Sequence, residues 1–229
     1  MTPHFNTFKE VSPLLENLYL AASSKGLENP RWSHEYEDAV NALMKCSPVI
    51  KYFEHVKSER WGEEEGLEFM STLKFPFYTK AEFEVPDNWW HSKDYRNIPL
   101  KDFYAAIKKA IKNGYSIAIG GDVSEPGRYS EGDIAIVVPW DLSQKEINQY
   151  SRELRFYNKT TTDDHGVHLV GYTRKDGHDW FLIKDSASGS QKGKYKGYFF
   201  FRDDFVKLKM LSFMVHKDAV KEILAKFKE

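Results

Sequence analysis

After residue 160 the chain is interrupted at short, regular intervals, and that spacing limits its fold more than any other feature. Val167–Tyr172, Trp180–Lys184, Tyr198–Phe201 and Lys207–Val215 are short runs rich in β-branched and aromatic residues. Turn sequences such as Lys175-Asp-Gly177 and Ser188-Gly189 separate them. Runs this short read as strands, and tight connections make neighbouring strands antiparallel. Tyr115–Ile119 and Ile134–Val138 add two more short β-branched segments.

The earlier part reads helical. Ser12-Pro13 opens one helix with a cap residue and a proline at its first position, and Ser33 caps a second that Ser47-Pro48 stops. A third runs from about Pro99, with Phe103, Ala106, Ile107, Ala110 and Ile111 as its apolar stripe and Gly114 as its left-handed cap. A fourth is expected from Ser143, where Ser143 and Glu146 have the spacing of a capping box. A last helix is expected over 218–226. Helices followed by an antiparallel sheet make an α+β protein rather than alternating βαβ units. The expected organisation is a helical segment over 1–65 and a β-rich lobe over 66–229.

Charge narrows the partners. The 34 acidic residues nearly cancel the 33 basic ones, so no one-signed field exists to hold nucleic acid or an anionic membrane. Apolar runs such as Ile134–Val138 are too short to span a bilayer. The single cysteine, Cys46, excludes an intrachain disulfide and fits a reducing compartment. The start, Met1-Thr-Pro-His, has no basic or apolar signal region. A cytoplasmic protein is expected, or a periplasmic or exported one if a signal has been removed. No cofactor is expected.

The densest reactive cluster is Thr160-Thr-Thr-Asp-Asp-His-Gly-Val-His-Leu-Val-Gly-Tyr172. A metal site built from Asp163, Asp164, His165 and His168 is one reading, since on a helix His165 and His168 would share a face. The segment reads as a strand, where residues three apart point to opposite faces. A joint metal site is therefore not expected, and His168 reads as a packed or edge histidine. His165 stands where a polar loop enters the strand, a place suited to a general base. Asp185 ends the next strand, and a hairpin could bring it beside His165. The plainer alternative is a solvated loop histidine and a turn-forming aspartate.

Asp164-His-Gly-Val-His-Leu-Val-Gly-Tyr172 resembles the segment carrying the catalytic histidine in papain-like cysteine peptidases. Trp180-Phe-Leu-Ile-Lys-Asp-Ser186 and Gly197-Tyr-Phe-Phe200 resemble the two strands that follow it. Pro76-Phe-Tyr78, Val85-Pro-Asp-Asn-Trp89, Asn97-Ile-Pro-Leu100, Asn113-Gly-Tyr115, Asp122-Val-Ser-Glu125 and Val215-His-Lys-Asp-Ala219 resemble the bleomycin hydrolase and aminopeptidase C branch. The resemblance covers roughly residues 65–220. It implies a papain-like fold, with His165 as base for a thiolate and Asp185 in the place of the asparagine that orients the imidazole. Asp164, Gly166 and Trp89 are then expected to contact a peptide. Trp89-Trp90 also has a plainer reading as a packed loop corner.

Three departures follow. The family's glutamine-then-cysteine-tryptophan motif is absent. Cys46 lies at the C-terminal end of its expected helix, where the macrodipole opposes a thiolate, so it reads as a structural thiol before a nucleophile. Asp185 replaces an asparagine. Ala187 stands where the family has a shielding tryptophan, which leaves an exposed histidine–aspartate pair as the expectation. The helical lobe is thus expected to be incomplete. Two functions compete. The chain is the base-bearing part of a cysteine aminopeptidase, its nucleophile supplied by a cysteine-bearing half or within a homo-oligomer. Or it is a catalytically inactive module that binds peptides or a partner protein.

Overall fold

One mixed sheet of ten strands runs through residues 65–227, the part of the chain that the computed structural model describes. The strands are β1 (Gly66–Met70), β2 (Thr79–Ala81), β3 (Tyr95–Asn97), β4 (Ile117–Gly121), β5 (Arg128–Tyr129), β6 (Ile134–Ala135), β7 (His165–Lys175), β8 (His178–Lys184), β9 (Tyr198–Arg202) and β10 (Met210–His216). Their order is β2-β3-β1-β10-β4-β7-β8-β9-β6-β5. The two expected N-terminal helices and Cys46 lie outside the described residues. All of the described residues belong to one compact unit, Glu64–Glu229.

The antiparallel expectation holds for the run from β1 through β10, β4, β7 and β8 to β9. It is corrected beyond that run, where β3 pairs parallel to β1 and β6 parallel to β9. Both parallel pairs join strands far apart in sequence, since a parallel neighbour needs a long crossover.

Helix α1 (Leu100–Lys112) forms where the apolar stripe placed it, and Gly114 takes a φ of 86° just past its end. Its face of Phe103, Ala106, Ile107 and Ala110 is buried against the sheet. There the Phe103 ring meets Phe213 edge-on at 4.9 Å, and Phe213 stacks on Phe69 at the same distance. Each such ring contributes about 2–3 kcal/mol through the apolar area it buries. This core fixes the inner face of β4, β7, β8 and β10.

Other boundaries are corrected. Ser143 opens only a single 3-10 turn, and the helix proper is α2 (Gln149–Tyr157). Asn148 caps it in a reciprocal box with Ser151. The Asn148 side chain lies at the right spacing to hold the first free amides, so it outcompetes Ser143. The expected strand 207–215 divides into α3 (Asp203–Lys209) and β10. Asp203 and Asp204 in the first turn and Lys207 and Lys209 in the last complement the helix dipole. The expected C-terminal helix is a 3-10 turn, Lys217–Val220, followed by one α turn, Lys221–Leu224. Among the described residues, no helix is long and apolar enough to cross a membrane.

Candidate active site

The site is built by the β7–β8 hairpin. Asp176 and Gly177 have φ values of 51° and 79°, so Lys175 faces His178 across a two-residue turn. Two successive positive φ values give a turn whose twist matches that of the strands. From this turn the ladder runs in one register through Thr173–Trp180 and Tyr172–Phe181 to Gly171–Leu182. Carried on unbroken, it would set Asp185 directly opposite His168.

The ladder does not run unbroken. The register shifts between Gly171 and Leu169, leaving Val170 as an extra residue. Beyond this bulge, Leu169 faces Ile183 and His168 faces Lys184. A one-residue step in register exchanges the two faces of a strand. Val167 and Leu169 therefore join the core, while Gly166 and His168 point away from it. Asp185, one residue past Lys184, shares the core side with Val167. His165 is its diagonal neighbour on that side, within reach of a polar side chain.

The two side chains meet. His165 Nε2 lies 2.8 Å from Asp185 Oδ1. The other side of His165 is anchored by β4, where it pairs with Gly121. A Cβ on Gly121 would lie 2.3 Å from the Lys209 carbonyl oxygen, so only glycine lets β4 run this close to the start of β10. Among the described residues, His165 Nδ1 has no hydrogen-bond partner.

Asp185 is held from three directions. Its Oδ1 also accepts from the Ala187 backbone N–H at 2.9 Å, and its Oδ2 accepts from Arg128 Nη2 at 2.7 Å. Burial pushes the carboxyl group upward. The Ala187 N–H, His165 and Arg128 outweigh that and hold it below the ordinary carboxylate range. The expectation of an exposed pair is corrected here. The Asp185 side chain is only 2% exposed and that of His165 27%. Without a tryptophan at Ala187, the Arg128 guanidinium and the backbone close over the carboxylate instead. Arg128 comes from β5, three strands from β8 in sheet order, and lies over the Phe199 ring at 4.3 Å. It is 57 residues from Asp185 in sequence and belongs to no motif, so sequence reasoning missed it.

The remaining candidates fall in different places. Gly166, His168 and Asp185 line one cavity of about 750 Å³, together with Glu68, Gly120 and Ser212. Asp164 does not line it. Its Oδ1 accepts from the Val123 N–H at 3.0 Å and so holds the loop after β4. In that loop Asp122 accepts from the amides of Ser124 and Glu125, which makes a tight turn, and from that of Thr162. Trp89 is half exposed and meets Trp90 edge-on at 5.5 Å, away from the cavity lining. Asp163 is buried, its Oδ1 has no partner among the described residues, and its carboxyl is pushed up to about 7 by burial and by Asp87, Asp164 and Asp122. Among the described residues, no three His, Cys, Asp or Glu side chains converge as metal ligands would.

No protein-family profile and no curated protein matches this chain. Solved structures do. PepW from Lactobacillus rhamnosis HN001 aligns over 96% of this chain, at 16% identity and a TM-score of 0.53. This chain spans only 57% of that protein's length. A digestive procathepsin L 3 from the larval midgut of Tenebrio molitor aligns over 48% of this chain and 31% of its own, at 18% identity. Its TM-score of 0.30 is too low to carry an argument. At these identities the likeness concerns the fold alone. The chain shares its fold with PepW, a mixed sheet with few helices.

Proposed function

We propose that this chain supplies the general base of a cysteine peptidase of the aminopeptidase type, with His165 as base and Asp185 as the residue that orients it. The observation that carries this reading is the 2.8 Å contact between His165 Nε2 and a buried Asp185. It fixes the ring and leaves Nδ1 to take a proton from a thiol. The thiolate would then attack a peptide carbonyl, and His165 would return the proton to the leaving amine. The chain's only cysteine, Cys46, lies outside the described residues. The nucleophile therefore comes from Cys46, from a cysteine-bearing half or from a second copy.

The test is hydrolysis of fluorogenic aminoacyl substrates by the protein purified from its native source and by this chain alone, with and without a thiol-alkylating reagent. Alkylation-sensitive hydrolysis by the native protein, lost in His165→Ala, is expected. Hydrolysis by this chain alone that disappears in Cys46→Ala would make Cys46 the nucleophile. A folded native protein that binds peptides without cleaving them would replace this reading with an inactive peptide-binding module.

A further inference from the structure

Two oppositely charged side chains meet behind His165, and one of them has no place in the function proposed above. Arg128 is 14% exposed along its side chain, and its Nε is buried without a hydrogen-bond partner among the described residues. Among the described residues its one carboxylate contact is Asp185, at 2.7 Å. A guanidinium accepts an unpartnered N–H and the loss of its hydration only where its charge is strongly held. Here that hold is divided between the Asp185 carboxylate and the face of Phe199.

The consequence for the imidazole follows from charge. A lone buried carboxylate 2.8 Å from a histidine ring would favour the imidazolium, a form that cannot take a proton. A carboxylate already paired with a guanidinium presents nearly zero net charge, so it acts as a hydrogen-bond acceptor with little pull on the ring's protonation.

We propose that Arg128 is a positioning residue for His165, acting through Asp185: it fixes the carboxylate and cancels its charge, so that the imidazole is oriented without being locked in its protonated form. The other charged groups on the flanking elements are turned elsewhere. Asp164 accepts from the Val123 amide, and Asp122 from the amides of its own loop and of Thr162. Lys184 faces His168 on the far side of the sheet, and Lys196 donates to the Gln191 carbonyl. Asp163, two residues before His165 and buried without a partner on Oδ1, is common to every variant below.

Only the kinetic meaning of this inference rests on the peptidase reading, and the test needs no activity. The His165 ring resonances, assigned by their loss in His165→Gln, are followed by NMR against pH in five proteins. These are the unaltered chain, Arg128→Lys, Arg128→Met, Asp185→Asn and the double variant Arg128→Met/Asp185→Asn. In Arg128→Met the titration midpoint is expected to rise by about one pH unit, because the carboxylate is no longer neutralised. In the double variant it is expected to return to within a few tenths of a unit of the original. Arg128→Lys, which keeps the charge, is expected to move it little. An unchanged midpoint in Arg128→Met, or a double variant that stays raised, overturns the proposal. Should Arg128→Met not fold, the double variant against Asp185→Asn decides. Asp185→Asn leaves the guanidinium uncompensated and should lower the midpoint, so removing Arg128 in the double variant should raise it again, and an unchanged midpoint between these two variants overturns the proposal. A midpoint that behaves as expected in a protein without peptidase activity would uphold the coupling and remove only the function proposed above.

Discussion

Lys184 lies directly opposite His168, and that one pairing puts Asp185 on the side of the sheet that carries His165. The extra residue Val170 produces it. The β7–β8 turn on its own would pair Asp185 with His168 and turn His165 to the other face. Bulges beside functional sites commonly re-aim a side chain, and this one selects between two histidines three residues apart.

Deleting Val170 tests the selection. Without Val170 the ladder would close with the pairs on either side kept, Gly171 opposite Leu182 and Leu169 opposite Ile183. Val167 and Leu169 should stay in the core, and the loss of stability in urea unfolding should be smaller than the roughly 2–5 kcal/mol of a core truncation. His165 should keep its through-space contact to Asp185. Loss of that contact in a folded deletion variant would mean that Val170 is not the residue the ladder leaves out.

This bulge also marks the limit of what was legible in the sequence. The hairpin itself was readable, because Asp176-Gly177 between two β-rich runs leaves few alternatives. The α1 stripe was readable for the same reason, since Phe103, Ala106, Ile107 and Ala110 repeat with the helical period. The choice of His165 over His168 as partner for Asp185 was not fixed by any local pattern. It depends on one unpaired residue whose position is set by which of Val167, Leu169 and Val170 the core accepts. Arg128 was invisible for a different reason. Its partner is 57 residues away, and a lone arginine on a two-residue edge strand has no periodicity to betray it. Ser143 misled because its spacing to Glu146 is that of a cap, and the two side chains do bond, at 2.5 Å, without starting a helix.

Removing the Asp185 carboxylate should destabilise the fold as well as the site. Asp185→Ala leaves the Arg128 guanidinium buried and unpaired, and breaking a buried pair on one side costs about 3–5 kcal/mol. Asp185→Asn keeps an acceptor and should cost less. Because the folded carboxyl is held below its ordinary value, its contribution is complete above the unfolded value, near 4, and is lost as pH falls through the folded one. The stability gap between the natural protein and Asp185→Asn should therefore narrow below about pH 4 in acid-unfolding curves. A gap that is constant from pH 7 to pH 2 would show that the carboxylate charge contributes nothing.

Arg152 offers a purely structural contrast. It is fully buried, and it donates to the carbonyls of Ser71, Lys207 and Leu211 at 3.2, 2.9 and 2.9 Å while stacking over Phe103. It ties α2 to the turn after β1 and to the α3–β10 junction. Arg152→Met keeps most of the volume but strips three carbonyls of their donor, at about 1–3 kcal/mol for each unsatisfied group. The expected result is a loss of several kcal/mol in chemical denaturation with no change in the His165 titration. A change in both would mean that α2 communicates with the site.

Asp163 makes the sharpest pH prediction. Its carboxyl is buried, unpartnered at Oδ1, and surrounded by Asp87, Asp164 and Asp122, so it titrates near 7 instead of 3.8. The folded state therefore binds this proton more tightly than the unfolded chain does. Its contribution to stability is complete below the unfolded value and is lost as pH rises through about 7. A shift of this size corresponds to on the order of 4 kcal/mol between the two ends of that window, at about 1.4 kcal/mol per pH unit. Asp163→Asn cannot ionise, so it should match the natural protein near pH 4 and exceed it in stability by a few kcal/mol at pH 8. Urea unfolding of both proteins at the two pH values measures the difference directly. Parallel pH dependence in the two proteins would mean that Asp163 stays charged when folded, with a cation or water satisfying the oxygen that has no protein partner.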